Sequence, residues 1–362
     1  MLSFAPPLLA RALDQNGIDP NNINTTTTDP LIIAMSRKYC KVGTCPTSWQ
    51  VIDYRPSLAG NAIYMTVFIL LLCTQAYFGM RHKTWKYTAI LLTGLLGEIV
   101  GYAGRLMLNA NPFLMNNFLV NLIPLTLAPA LFTAAIYLSL SRVFFILDPS
   151  HAYSRLKPQL YTYIFVSCDL LALVLQAIGG ALAATAKDKR GSDQGVRVMI
   201  AGLISQVITM ALFLGLWGDF AVRHRRARGR TTGKLGMYEA LEASNAFKWF
   251  QWSKWPRRNM IATALTLLGL FVATLLIFVR CIYRVAELWE GFGGHLANHE
   301  ASFMVFEGPM IILAVAGLTW FHPGRVFGEV WGPAGRGERT HGKLADEGSE
   351  VSLATSYPYE GV

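Results

Sequence analysis

Seven long apolar stretches divide this chain, at 58–79, 87–108, 118–144, 161–184, 198–220, 260–281 and 302–321. Each is long enough to cross a hydrocarbon layer about 30 Å thick as a helix. The pattern predicts an all-α polytopic membrane protein with seven transmembrane helices. Its parts are an N-terminal segment at 1–57, a membrane domain at 58–321 with a connection at about 221–259, and a disordered tail at 322–362. Polar positions interrupt the apolar runs. Glu98, Arg105, Asp169 and Glu307 fall within the spans or near their ends. Charge at membrane depth is costly and normally faces a bundle interior, a cavity or a partner. Function is therefore to be sought in a polar interior.

Composition agrees. The chain of 362 residues is 53% hydrophobic and 15% charged, with mean hydropathy +0.36. That is too apolar for an ordinary soluble chain with this much loop. The formal charge of +10 does not point to nucleic acid, because the basic residues cluster between spans. Arg81, Lys83 and Lys86 lie in the first connection, and Arg142, Arg155 and Lys157 in the third. Arg223, Arg225, Arg226, Arg228, Arg230, Lys234, Lys248, Lys254, Arg257 and Arg258 lie in the fifth. All three connections share one side, which the positive-inside rule makes cytosolic. Lys187, Lys189, Arg190 and Arg197 argue the other way, partly offset by Asp188 and Asp193. The balance predicts an outside N-terminus and a cytosolic C-terminus.

The N-terminal segment fits that orientation. Asn24-Thr25-Thr26 is an N-glycosylation acceptor, usable only in the lumen or outside. Cys40 and Cys45 permit a small disulfide loop in an oxidising exterior, with an unpaired surface pair as the alternative. Cys73, Cys168 and Cys281 read as packing residues. Residues 1–10 make a poor signal peptide, so the first span is expected to act as the insertion signal. In the fifth connection, Phe247, Trp249, Phe250, Trp252 and Trp255 interleave with basic residues. Aromatic and basic groups favour the membrane surface, so an interfacial helix is expected over 237–250. Lipid sensing or partner recruitment is the functional alternative to simple anchoring.

Polar residues inside the spans repeat a seven-residue spacing, about two helical turns, which puts each pair on nearly one face. Glu98 and Arg105 form one such pair, beside Gly94, Gly97, Gly101 and Gly104. Their vertical separation of about 10 Å makes direct contact unexpected. Asp169 and Gln176 form a second, followed by Gly179 and Gly180, and Gln206 lies in the next span. Arg280, Arg284 and Glu287 share a face at the end of the sixth span. Glu300 and Glu307 form a third pair at the start of the seventh span, with Pro309 just below. Glu307 is expected to meet Arg105 or Arg284, whereas an Arg105–Asp169 pair is disfavoured by depth. This acid–base cluster is the best site candidate. It can hold a polar head group, relay protons or merely lock helices. Pro124 and Pro129 are expected to bend the third span. No catalytic motif, cofactor site or metal-ligand cluster is recognisable.

The ordered segments resemble one family. They are Tyr54-Arg55-Pro56-Ser57 with Asn61, then Glu98-Ile99-Val100-Gly101-Tyr102-Ala103-Gly104-Arg105, then Ala128-Pro129-Ala130 with Ala134, Ala135 and Tyr137. Asp169, Gln176-Ala177-Ile178-Gly179-Gly180, Gly202 and Gln206 follow. Arg280, Tyr283-Arg284, Glu287, Gly291, Glu300, Glu307, Pro309 and His322-Pro323-Gly324 complete the series. Their order over 54–324 resembles the fungal RTA1-like family, also called the lipid-translocating exporter family. Phe303 and Glu307 depart from its commoner residues while keeping the class of side chain. The resemblance implies a seven-helix protein of a fungal plasma or internal membrane. It also implies efflux or flipping of sphingoid long-chain bases and resistance to amphiphilic toxicants. Membrane lipids and amphiphilic small molecules are then the expected partners. In such a role Glu98 or Glu307 would receive the ammonium of a sphingoid base. A seven-helix receptor or lipid sensor, and a lipid-modifying enzyme, are the competing classes.

Overall fold

The computed structural model describes residues 50–52, 54–147, 158–186, 189–230, 257–291 and 294–327. The calls on Asn24, Cys40, Cys45, the 237–250 helix and the tail beyond 327 lie outside the described residues. Among those described, every regular element is an α-helix.

Local signals set the helix ends. In α1 (Leu58–His82) the Ser57 side chain caps the start by accepting from the Gly60 N–H. The chain leaves α1 through Lys83 in the left-handed conformation, φ 54°, and α2 (Trp85–Ala110) follows at once. The longer α3 (Met115–Leu147) runs unbroken through Pro124 and Pro129. It is followed by α4 (Pro158–Thr185), α5 (Lys189–Arg230) and α6 (Arg257–Trp289). The apolar run at 302–321 is not one helix. It divides at Glu307 into α7 (Glu300–Phe306) and α8 (Gly308–Trp320), and Pro323–Phe327 forms a short α9.

One boundary departs far from the hydropathy reading. Helix α5 starts at Lys189, well before 198, and continues through the basic run to Arg230. Helical hydrogen bonding does not stop where hydropathy falls, and arginine and lysine are good helix formers. Helix α8 ends at Trp320, and Pro323 opens α9. Proline is tolerated in the first turn, where its missing N–H has no helical partner to lose.

Consecutive helices pack on one another, and α8 closes the ring against α1 and α6, while α3 meets α6 across the middle. Glycines permit the closest approaches. A Cβ on Gly104 would lie 2.5 Å from the Asn121 backbone nitrogen, and one on Gly179 would run into the Met199 backbone. Large apolar side chains point outward, among them Leu70, Leu96, Leu171, Leu212, Leu268 and Leu313. Asn61, Gln75, Glu98, Arg105, Asp169, Gln206, Arg280 and Glu307 are buried. Seven spans are long and apolar enough to cross a membrane. Greasy outside and polar within, this is an integral membrane protein.

Candidate functional site

The end of the bundle where α1 begins and α6 finishes is called the upper end here. Beneath it, α2, α6 and the α7–α8 break bring five ionisable residues together. Arg280 Nη2 lies 2.6 Å from Glu307 Oε1 and 3.4 Å from Glu98 Oε1. Arg284 reaches the same Glu307 oxygen through Nη2 at 2.9 Å, and Glu287 through Nη1 at 2.7 Å. All five are buried, with Glu98, Arg280 and Glu307 at 0% exposure.

The backbone explains why the charges meet. Glu307 sits at the joint between two helices, with φ −92° and ψ −71°. Pro309 follows in the first turn of α8 and cannot continue the hydrogen bonding of α7. A side chain at Gly308 would collide with the Tyr102 hydroxyl at 2.7 Å and the Tyr64 ring at 2.8 Å, so the break approaches α1 and α2 closely. A second break in bonding anchors Arg280. Pro129 has no N–H for the carbonyl four residues earlier, that of Leu125. Arg280 Nη2 donates to that carbonyl at 2.7 Å.

Arg105 belongs to a neighbouring arrangement. Its Nε donates to Asn61 Oδ1 at 3.1 Å and its Nη2 to the Tyr54 hydroxyl at 2.8 Å. Its guanidinium lies 3.7 Å from the Phe303 ring centre, and Arg284 approaches the same ring at 5.7 Å. Both cations thus approach the Phe303 ring, a geometry that favours each. Tyr54 lies above the spans. Burial holds its phenol above the ordinary value against the lowering influence of Arg105, so it serves as a neutral acceptor. The Tyr54–Ser57 stretch straps the upper end. Arg55 Nε donates to the Asn109 carbonyl, Asn109 Nδ2 donates to the Pro56 carbonyl, and the Ser57 N–H donates to Glu300.

The sequence candidates therefore separate. Glu98, Arg280, Arg284, Glu287 and Glu307 form one network. Glu307 meets Arg284, as one expectation had it, but not Arg105. Glu300 joins the strap and meets no arginine among the described residues. Gln176 Nε2 donates to Gln206 Oε1 at 3.0 Å between α4 and α5, and Asp169 Oδ2 lies 2.9 Å from Thr133 Oγ1. These three lie outside the ion network. Sequence reasoning missed the Leu125 carbonyl and the Tyr102 hydroxyl. It also missed the buried Gln75 Nε2 to Thr319 Oγ1 bond at 2.8 Å and the His82–His322 pair, with ring centres 5.9 Å apart. Only Pro129 signalled any of these, by freeing a carbonyl.

Bonding is uneven within the network. Three carboxylates pair with two guanidiniums, and Arg105, over the Phe303 ring, adds a third positive charge within electrostatic reach of Glu287. Glu307 is held by both arginines and Glu287 by Arg284. Neither oxygen of Glu98 has a hydrogen-bond partner among the described residues, and the Tyr102 hydroxyl, one turn further along α2, also lacks one.

Fold and site define a seven-helix membrane protein with a charged interior near one end. The chain belongs to the RTA1 like protein family, whose pattern matches residues 91–330. It is similar to the sphingoid long-chain base transporter RSB1 of Saccharomyces cerevisiae (strain Lalvin EC1118), 34% identical over 286 residues, 75% of this chain and 73% of that protein. It is also similar to protoporphyrin uptake protein 1 of Saccharomyces cerevisiae, 30% identical over 241 residues, 66% of this chain and 68% of that protein. Protein RTM1 of the same species is 28% identical over 242 residues, 67% of this chain and 68% of that protein. No solved structure matches the chain.

Proposed function

We propose that this protein moves single-tailed amphiphiles with a cationic head, sphingoid long-chain bases foremost, across the membrane. The observation that carries the reading is the under-bonded Glu98 within the buried ion network. An ammonium brings three donors and one positive charge, which supplies what Glu98 lacks. The Tyr102 hydroxyl beside it suits a hydroxyl of an amino-diol head. The alkyl tail stays in lipid. Similarity to a sphingoid long-chain base transporter supports the same substrate class. Membership alone leaves the cargo open, since another relative is named for protoporphyrin uptake.

The reading is of a carrier and not of an enzyme, with the N-terminus outside, the C-terminus cytosolic and the plasma membrane as its place. The basic helical run at Arg223–Arg230 and the basic start of α6 support that orientation. Purified protein in vesicles with labelled sphingoid bases, sterols and glycerophospholipids tests the function. Faster movement of the sphingoid base than in protein-free vesicles is expected. Specific binding without movement would make the protein a sensor, and chemical conversion of the lipid would make it an enzyme.

A further inference from the structure

One buried carboxyl stands apart from the ion network. Asp169 on α4 is 2% exposed and lies within a span. Its polar neighbours are Thr133, whose hydroxyl lies 2.9 Å from Oδ2, and Tyr137, one turn along α3, and no described lysine, arginine or histidine forms an ion pair with it. A carboxylate buried in hydrocarbon without a cation is expensive, and such groups neutralise instead.

The Thr133 hydroxyl sharpens the point. Its oxygen lies 2.9 Å from Asp169 Oδ2 and also 2.9 Å from the Ala130 carbonyl oxygen. The second contact is the ordinary back-bond of a helical threonine. A hydroxyl has one proton to donate, and a carbonyl and a carboxylate both only accept. With Asp169 ionised, both acceptors claim the same proton. With Asp169 as the neutral acid the arrangement closes: Oδ2–H donates to Thr133 Oγ1, and Thr133 donates to Ala130. Loss of the acid's proton to water leaves a carboxylate that accepts from Thr133, whose hydroxyl must then turn away from Ala130. Uptake reverses the turn.

The surroundings impose little competing charge. From α3 the titratable neighbour is Tyr137, packed against Phe165 and Phe213. Helix α5 has no titratable residue between Arg197 and Asp219. From α6 the thiol of Cys281 is within electrostatic reach of Asp169, and the next residue, Arg280, is committed to Glu307, Glu98 and Leu125. The path to the ion network is short and contiguous. Ala130 adjoins Pro129, and Pro129 frees the Leu125 carbonyl that anchors Arg280.

We propose that Asp169 is a proton-binding site read by the Thr133 hydroxyl, and that its proton exchange couples the head-group site to a proton gradient. The coupling half rests on the transport reading above; the proton site does not. Infrared difference spectroscopy of the full chain in lipid nanodiscs, titrated in pH, tests the site. A protonated-carboxyl C=O band is expected, lost in Asp169→Asn and shifted in Thr133→Val. A full set of carboxyl bands surviving in Asp169→Asn, or an unmoved band in Thr133→Val, would overturn it. In proteoliposomes, the ratio of sphingoid-base movement with and without a pH gradient should exceed one and fall to one in Asp169→Asn. A wild-type rate indifferent to the gradient would overturn the coupling. A wild type that moves no base contradicts the transport reading, and the infrared result still decides the proton site.

Discussion

Glu98 and Glu307 are both buried carboxylates beside Arg280, yet their bonding assigns them different work. Glu307 Oε1 is shared by Arg280 and Arg284, so removing its charge leaves two buried guanidiniums under-compensated. Breaking a buried pair from one side costs about 3–5 kcal/mol. Glutamine keeps an acceptor, so Glu307→Gln is expected to lose about 3 kcal/mol, read as a lower melting temperature of purified protein. Glu98 holds one contact at 3.4 Å, so Glu98→Gln should cost no more than about 1 kcal/mol. Equal losses would contradict this division. The candidates were legible because charge inside an apolar run is conspicuous. Their partners were not, since pairing depends on depth and rotation that one chain's spacing leaves open. Glu300 shows this: it lies seven residues from Glu307 but bonds to Ser57, where α1 begins.

At the scale of elements, the spans were legible because run length alone implies a crossing helix. Helix α5 was shortened in the sequence reading because hydropathy reports the lipid-facing stretch and not the hydrogen-bonded one. The prolines of α3 read as a bend; the use made of the carbonyl that Pro129 frees was hidden, because the Leu125 carbonyl finds its donor 155 residues away. Pro129→Ala returns an N–H to that carbonyl and should weaken the Arg280 anchor. Combined with Arg280→Lys, its effect on stability should be non-additive by about 0.5–3 kcal/mol; additive losses would show that the two do not communicate. Glycines give a second test. Gly179 lies against the Met199 backbone, whereas Gly180 has only the Met199 sulfur at 3.9 Å. Gly179→Ala is expected to destabilise by about 1–3 kcal/mol, and Gly180→Ala to be neutral or to stabilise by up to about 1 kcal/mol.

The whole molecule is a ring of helices with apolar surface outward and an ion network near one end. Its orientation follows from charge outside the lipid. The end bearing Lys83, Lys86, Arg223 and Arg257 should face the cytosol, so a C-terminal tag should resist protease in intact cells and be digested after permeabilisation. Digestion without permeabilisation would reverse the orientation and place the head-group site near the cytosolic side. The central claim is that Glu98 receives a cationic head. Its most direct measurement is the ratio of transport rates for a sphingoid base and a neutral analogue of equal tail length, in proteoliposomes of wild type and Glu98→Gln. Equal tails hold the hydrophobic contribution constant, so the ratio reports the head group alone. The account predicts a wild-type ratio well above one that falls toward one in Glu98→Gln. A ratio of one in the wild type, or one that Glu98→Gln leaves unchanged, would contradict it.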